Sequence, residues 1–385
     1  MRTLTTTEEL AAFCAQASVV DYVTIDTEFL RERTYYSKLC LIQMALPDNG
    51  EAVLIDPLVG EMSLDPLIAL FENENVVKIF HAARQDLEIF FFELGTFPKP
   101  LFDTQVAAMV CGFGEQVGYE TLVKRIARST VDKTSRFTDW SRRPLSDAQK
   151  NYALADVTHL RDIYLHLDKE LKKSKRERWL QEELHVLTDP ATYVVVPDMA
   201  WKRVKTRTNS GRFLALVRAL AQFRETHAQT QNIPRNRVFK DDAMLELAST
   251  KPKTHADLGK SRLLLREARR GVIADGILRA VEEGLNADPE TFPAVDRSRD
   301  KMQVNPALAD LLRVLLKAKS EASGVAQKLI ATASDLDAIA AGHRDAAALR
   351  GWRSEVFGED ALRLCDGKIA LAAKGSAVRV ISLED

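Results

Sequence analysis

No run of apolar side chains in the 385 residues approaches the ~20 needed to cross a bilayer, and no basic-then-apolar leader opens the sequence. A cytoplasmic protein without membrane association is the expectation. Cysteine is scarce: Cys14, Cys40, Cys111 and Cys365 are the four, with no Cys-x-x-Cys pair. That excludes a disulfide framework and a cysteine-based zinc site and fits reduced thiols. Net charge is almost absent, formally −1. Nothing therefore draws the whole molecule onto nucleic acid, and any such binding must come from local patches. A phosphate-binding loop is missing too: Gly259-Lys260-Ser261 ends like one, but Thr254 stands where the first glycine belongs. Apolar content, by contrast, is ample at 46%, with 28% charged residues. That composition supports sizeable cores, and the length argues for two or three domains.

The stretch Val23-Thr24-Ile25-Asp26-Thr27-Glu28-Phe29 alternates as a strand does. Val23, Ile25 and Phe29 take one face, and Thr24, Asp26 and Glu28 the other. Two carboxylates on one face cannot both stay ionised unaided; one holds a proton, or a cation lies between them. Hard oxygen donors favour Mg²⁺ or Mn²⁺ over zinc. Asp-x-Glu alone is common, so the weight falls on what accompanies it.

Around this strand the first part of the chain reads α/β. An opening helix near Thr7–Gln16 precedes three apolar runs at Val23–Phe29, Leu39–Leu46 and Ala52–Ile55. Their short separations predict antiparallel pairing. A helix near Leu64–Glu72 leads to a buried strand at Val76–Phe80, and His81-Ala82-Ala83 turns into a helix carrying Leu87, Phe90, Phe91 and Leu94. Further helices are expected near Thr104–Cys111, Tyr119–Ile126 and Asp147–Leu167. The last opens with a capping box, Ser146-Asp147-Ala148-Gln149, and buries Leu154, Val157, Leu160 and Ile163. Tyr152 and Asp156, four apart on it, reach a common point. The economical architecture is a mixed sheet with helices on its faces.

From Ser210 the pattern turns helical. A helix bearing Phe213, Leu216, Val217, Leu220 and Phe223 is followed by a loop at Asn232–Arg235, a capped helix at Asp242–Ala248, and a proline-marked linker at Asn286–Pro306. At an offset of 92 the pattern recurs, pairing Ile233 with Val325, Val238 with Ile330 and Leu247 with Ile339.

Four carboxylates stand at element ends: Asp26, Glu28, Asp86 and Asp156. Asp86 falls in the first turn of its helix, where the helix dipole favours the ionised form. Gathered together, four anions call for about two divalent cations, the arrangement of phosphoryl-transfer hydrolysis.

At these residues the chain resembles a known family. Asp26-Thr27-Glu28-Phe29, Arg33-Thr34-Tyr35-Tyr36, Leu41-Ile42-Gln43, the segment from His81 to Glu88, Asp139–Leu145 and Tyr152–Val157 are similar to the motifs of bacterial ribonuclease D. That family belongs to the tyrosine-bearing branch of the DEDD exonucleases. The resemblance implies a ribonuclease H-like α/β exonuclease domain at 1–170, a helical connector at 171–208, an HRDC domain at 209–288 and a second, degenerate HRDC-like all-α domain at 297–380. It implies 3′→5′ release of 5′-mononucleotides from RNA with a single-stranded 3′ end, tRNA precursors among them. A monomer without an obligate protein partner is the default expectation. Asp26, Glu28 and Asp156 would bind one of two divalent ions, Mg²⁺ or Mn²⁺, with Asp26 bridging to the second and Asp86 acting on that one. Tyr152 would orient the attacking water, since a phenol of pKa about 10 is a poor base at neutral pH.

Substrate contacts are less sharply marked. Phe29 is a candidate to stack on the terminal base, with core packing the alternative. His81 reads as a packing or turn residue, with a phosphate contact as the alternative. Lys202, Arg203, Lys205 and Arg207 form a run without acidic residues that suits phosphates or a solvated linker, and Arg266, Arg269 and Arg270 add basic density. A DNA exonuclease of the same superfamily, or a catalytically idle nucleic-acid-binding protein, are the competing readings.

Overall fold

The computed structural model describes residues 1–132, 134–208, 210–293 and 303–383. Asn209, where the first helical module is expected to begin, and the 294–302 part of the expected linker, including position 297, lie outside the described residues. The chain divides into two units. One comprises Met1–Glu28, Cys40–Asp189 and the described part of Ser298–Asp385; the other comprises Phe29–Leu39 and the described part of Pro190–Arg297.

A mixed six-stranded sheet organises the first unit. Its strands are β1 (Arg2–Leu4), β2 (Tyr22–Leu30), β3 (Lys38–Ala45), β4 (Ala52–Ile55), β5 (Val77–Phe80) and β6 (Leu101–Asp103), in the order β1-β4-β3-β2-β5-β6. The β3/β4 pair is antiparallel, as the short loop predicts, while β1 lies parallel to β4, β5 to β2, and β6 to β5. The sequence reading missed β1 and β6. Each has three residues, too few for any periodicity to emerge. Strand β3 is buried along nearly its whole length, which suits an interior position covered on both faces.

Helices α1 (Thr7–Ala17), α2 (Asp65–Glu72), α3 (Arg84–Leu94), α4 (Thr104–Val110), α5 (Tyr119–Leu122), α6 (Asp147–Ser174) and α7 (Glu177–His185) connect and cover these strands. Thr6 and Asp103 cap α1 and α4 by accepting backbone N–H bonds, and the box at Ser146 and Gln149 starts α6 as expected. Helix α6 runs seven residues beyond the expected Leu167, because Leu171 prolongs its buried stripe. Ala153 is buried there where Leu154 was expected, and Leu154 is only half-buried.

Three polar ties fix α6 and the segment before it to the sheet. The Thr24 hydroxyl donates to Val157 O at 2.8 Å, and the Arg161 guanidinium donates to Asp48 O and Gly50 O at 2.6 and 2.9 Å. Arg143 binds both oxygens of Asp56 at 2.5 and 2.7 Å and also donates to Cys40 O and Trp140 O. Each is a charge-assisted or buried bond between groups distant in sequence, so together they set where the helix lies.

In the second unit α8 (Gly211–Thr230), α9 (Arg235–Val238), α10 (Asp241–Thr250), α11 (His255–Lys260) and α12 (Gly271–Asn286) enclose a core that includes Leu216, Leu220, Phe239, Met244, Leu247 and Ile277. Helix α12 lies so close to α8 that a Cβ on Gly276 would fall 2.0 Å from the Phe223 ring. Helix α10 begins at Asp241, one residue earlier than expected, and its N-cap Lys240 makes no side-chain bond; the expected cap is absent. Asp241 instead pairs at 2.6 Å with the buried Arg224. Segment Phe29–Leu39 packs here as well: the Tyr35 hydroxyl donates to Glu225, and the Asn232 side chain accepts the N–H groups of Tyr35 and Tyr36 at 3.0 Å.

The C-terminal module of the first unit contains α13 (Pro306–Ser323), α14 (Gln327–Ile330), α15 (Ala333–Ala340), α16 (Gly351–Arg353) and α17 (Glu359–Cys365), around Leu312, Leu315, Ile330, Trp352 and Phe357. It closes with an antiparallel hairpin, β7 (Ile369–Lys374) and β8 (Ala377–Ser382). The all-helical expectation leaves that hairpin out, since its alanine-rich first strand reads equally well as helix. Helix α14 sits 92 residues after α9 (327 minus 235), and α15 begins 92 after α10 (333 minus 241). Gly351 then follows Gly271 by only 80, and both glycines have positive φ, 53° and 61°. Among the described residues α11 has no counterpart in the later module, which accounts for the shorter spacing.

Replacing Arg143 by Met leaves Asp56 buried without its cation, and is expected to lower unfolding free energy by about 3–5 kcal/mol. Chemical denaturation measures this, and a loss below about 1 kcal/mol would show that the pair does not fasten the segment before α6.

Candidate active site

Strand β2 presents Asp26 and Glu28 on one face, and α6 brings Asp156 to them, held by the Thr24–Val157 bond one residue further along. Ligand oxygens of Asp26, Glu28 and Asp156 all lie within 4.8 Å of one another. Asp86 enters from the first turn of α3, where its carboxylate accepts a short hydrogen bond from the Thr27 hydroxyl. Thr27 points to the opposite face from Asp26 and Glu28, so Asp86 reaches β2 from beside the strand.

The turn that delivers Asp86 is itself constrained. Ala82 adopts a left-handed φ of 58°, an uncommon conformation for a residue with a Cβ. Asp103 stabilises it by accepting the N–H groups of Ala82 and Ala83 at 3.1 and 2.8 Å, while also capping α4 through Gln105 N at 2.7 Å. His81 packs 5.4 Å from the Tyr119 ring, with its Nδ1 3.0 Å from the Thr104 hydroxyl. That hydroxyl donates to Phe80 O, so the imidazole Nδ1 is assigned as the N–H donor. These contacts tie His81 to α4 and α5.

Electrostatics sets this cluster apart. Asp26 and Glu28 keep some surface open to solvent while most of their surroundings are protein. Burial, followed by the negative charges of Asp86, Asp156 and Glu28, pushes the Asp26 carboxyl well above its ordinary value. Burial and the charges of Asp156 and Asp86 push Glu28 up to about 9. Burial likewise takes Asp86 and Asp156 up to about 7 each. For Asp86 desolvation is the largest influence, opposed by the Thr27 hydroxyl and by backbone N–H groups. The Arg136 guanidinium partly opposes the rise at Glu28 and Asp156.

Tyr152 hydrogen-bonds Asp156, and burial together with the neighbouring carboxylates raises its phenol further. It keeps its proton at neutral pH. Trp140 backs it, with ring centroids 6.1 Å apart. The hydroxyl of Tyr119, another buried phenol, donates to Ala155 O at 2.9 Å.

Hard anionic oxygens that repel one another are the donor set that suits a divalent cation, so these residues fit one. The structure draws Asp26, Glu28 and Asp156 tightly together and sets Asp86 beside them through Thr27. Phe29 is half-buried. Lys202, Arg203, Lys205 and Arg207 are exposed in the second unit. The half-buried Arg269 folds its guanidinium onto Leu264 O and Ser261 O. Sequence reasoning overlooked Thr27, Asp103, Tyr119 and Arg136. Only Asp103 carried a local signal, as an N-cap before Thr104.

Comparison with known proteins agrees with this geometry. Residues 1–172 match a 3′-5′ exonuclease family model and residues 213–281 an HRDC domain model. The chain is 65% identical to ribonuclease D of Jannaschia sp. and 49% identical to that of Nitrobacter hamburgensis, each over 99% of both chains. Its fold is similar to that of crystalline Escherichia coli RNase D, described as an exoribonuclease involved in structured RNA processing. The TM-score is 0.84 at 28% identity, covering 95% of this chain and 98% of that one.

Because Asp26 is buried against the charges of Asp86, Asp156 and Glu28, Asp26→Asn is expected to stabilise the protein in EDTA at neutral pH by about 1 kcal/mol or more. Mg²⁺ should raise the unfolding midpoint of the unsubstituted chain and leave that of the variant nearly unmoved. An EDTA midpoint lower in Asp26→Asn would contradict the repulsion.

Proposed function

Since the chain belongs to the ribonuclease D family and is a 3′→5′ exoribonuclease, we propose that Asp26, Glu28, Asp86 and Asp156 hold two divalent cations, Mg²⁺ or Mn²⁺, over the terminal phosphodiester. The family depends on divalent metal, and the donor set carries the reading: three carboxylates with ligand oxygens within 4.8 Å, beside a protonated tyrosine. Bound cations supply Lewis-acid stabilisation of the charge that develops as the bond breaks. The chain's own groups do the rest. Asp26 and Glu28, fixed by the sheet, and Asp156, fixed by α6, present their oxygens without reorganising, which is where preorganised electrostatics gains its effect. The Tyr152 hydroxyl aims the attacking water at phosphorus, and its bond to Asp156 holds the ring in place.

The products on this reading are 5′-mononucleotides, and the substrates are tRNA precursors and other small structured RNAs with a single-stranded 3′ end. The catalytic domain is taken as 1–170, followed by a connector at 171–208. The HRDC domain at 209–288 and a shortened copy at 297–380 grip the folded part of the RNA, with Lys202, Arg203, Lys205 and Arg207 on its phosphates. The recurrence at offsets of 92 and then 80 supports the copy. The chain is taken to work as a monomer in the cytoplasm; among the described residues no helix is long and apolar enough to cross a membrane.

Digestion of 3′-tailed RNA and matched DNA with Mg²⁺, Mn²⁺ or EDTA tests this. Asp26→Ala and EDTA are each expected to abolish mononucleotide release, and Tyr152→Phe to lower kcat by about 10²-fold. RNA should be preferred. Undiminished digestion by Asp26→Ala would refute the site, and equal digestion of DNA would remove the preference for RNA.

A further inference from the structure

One exposed aromatic stands apart from the rest of the surface. Phe137 is 91% exposed, the most exposed of the large apolar residues described. It occupies a tight turn in which Ser135 O accepts both the N–H and the hydroxyl of Thr138, at 3.2 and 2.8 Å. Arg136 and Phe137 are therefore the two corner residues. Such corners ordinarily carry Gly, Pro, Asn, Asp or Ser. An arginine and a phenylalanine there gain nothing from turn chemistry, and an exposed phenyl ring gains nothing from burial.

The turn is held firmly at both ends. Ser135 is buried, the Gln149 side chain on α6 donates to the Thr138 hydroxyl at 3.1 Å, and the buried Trp140 lies against Tyr152. The Arg136 guanidinium sits 5.3 Å over the Phe137 ring, and its positive field reaches both Glu28 and Asp156. The pair thus stands exposed beside the carboxylate cluster.

We propose that Arg136 and Phe137 form a clamp on the 3′-terminal segment of the substrate, Phe137 stacking on a nucleobase while Arg136 binds the adjoining phosphate. This deepens the exoribonuclease reading and rests on it. Every base offers a π face, so the contact is indifferent to sequence, as an enzyme that removes successive nucleotides requires. The cation–π contact presets the ring, so little side-chain freedom is lost on binding.

The test uses the full chain and short single-stranded RNAs, intact or with an abasic site scanned through the last few nucleotides. Phe137→Ala should raise KM on intact RNA by about tenfold and leave kcat within about twofold, whereas Phe137→Trp should restore KM. One abasic position should cost the unsubstituted chain a similar factor and cost Phe137→Ala nothing more. Arg136→Met should lessen the dependence of log KM on log salt by about 0.7. In Phe137→Trp, RNA should quench the fluorescence added by the new indole. An unchanged KM in Phe137→Ala, or equal abasic penalties in both chains, would overturn the clamp. If the unsubstituted chain digests no RNA, the exoribonuclease reading has failed instead. The fluorescence arm then decides the stacking: quenching supports it, and no quenching overturns it.

Discussion

Like charges confined together are the constraint from which the rest of the catalytic unit follows. Left alone, the carboxyls of Asp26, Glu28 and Asp156 would move apart or take up protons, and burial drives them further toward protonation. A cation removes the conflict, but the backbone must hold the geometry before the cation arrives. The sheet does this for Asp26 and Glu28, since β2 lies between β3 and β5, with β5 pairing up to Thr24. For Asp86 the Thr27 hydroxyl does it, and the turn behind that residue keeps Ala82 in an unfavourable conformation because Asp103 accepts the freed N–H groups.

The helical modules agree in spacing where their cores are buried and differ at a lightly buried element. Spacing of 92 is retained through the helices that carry Val238 and Leu247 in one module and Ile330 and Ile339 in the other, all four buried. It falls to 80 only after the position of α11. That short helix contributes Leu258 alone to the buried core of its module, so a module without it forgoes little apolar burial. Gly271 and Gly351 each start the next helix from a conformation open to glycine.

How much of this was legible in the sequence follows from the range of the forces involved. Alternation exposed the Asp26 and Glu28 face, and four-residue spacing linked Tyr152 to Asp156, because both patterns are local. The capping box at Ser146 is local as well. Strands β1 and β6 were not legible, since three residues gain strand character only from the neighbour they pair with. Neither was the Thr27–Asp86 bond, which joins residues 59 apart. The ionisation of Asp86 mixes both ranges: the dipole of its own helix is visible in sequence, while desolvation by distant segments is not.

Asp156 shows why a carboxylate on a helix serves here as well as one on a strand. Its neighbours on either side are both held through their carbonyls: Tyr119 donates to Ala155 O and Thr24 to Val157 O, at 2.9 and 2.8 Å. Those hydroxyls come from α5 and β2, so two separate elements bracket one helical position. A mid-helix carbonyl already accepts from the N–H four residues on, and its second lone pair is free to take the extra bond. Helix α6 thus keeps its own ladder while its height above β2 is fixed within about a residue of Asp156. Because Tyr152 hangs one turn earlier on the same helix and hydrogen-bonds Asp156, the two side chains move only as one body.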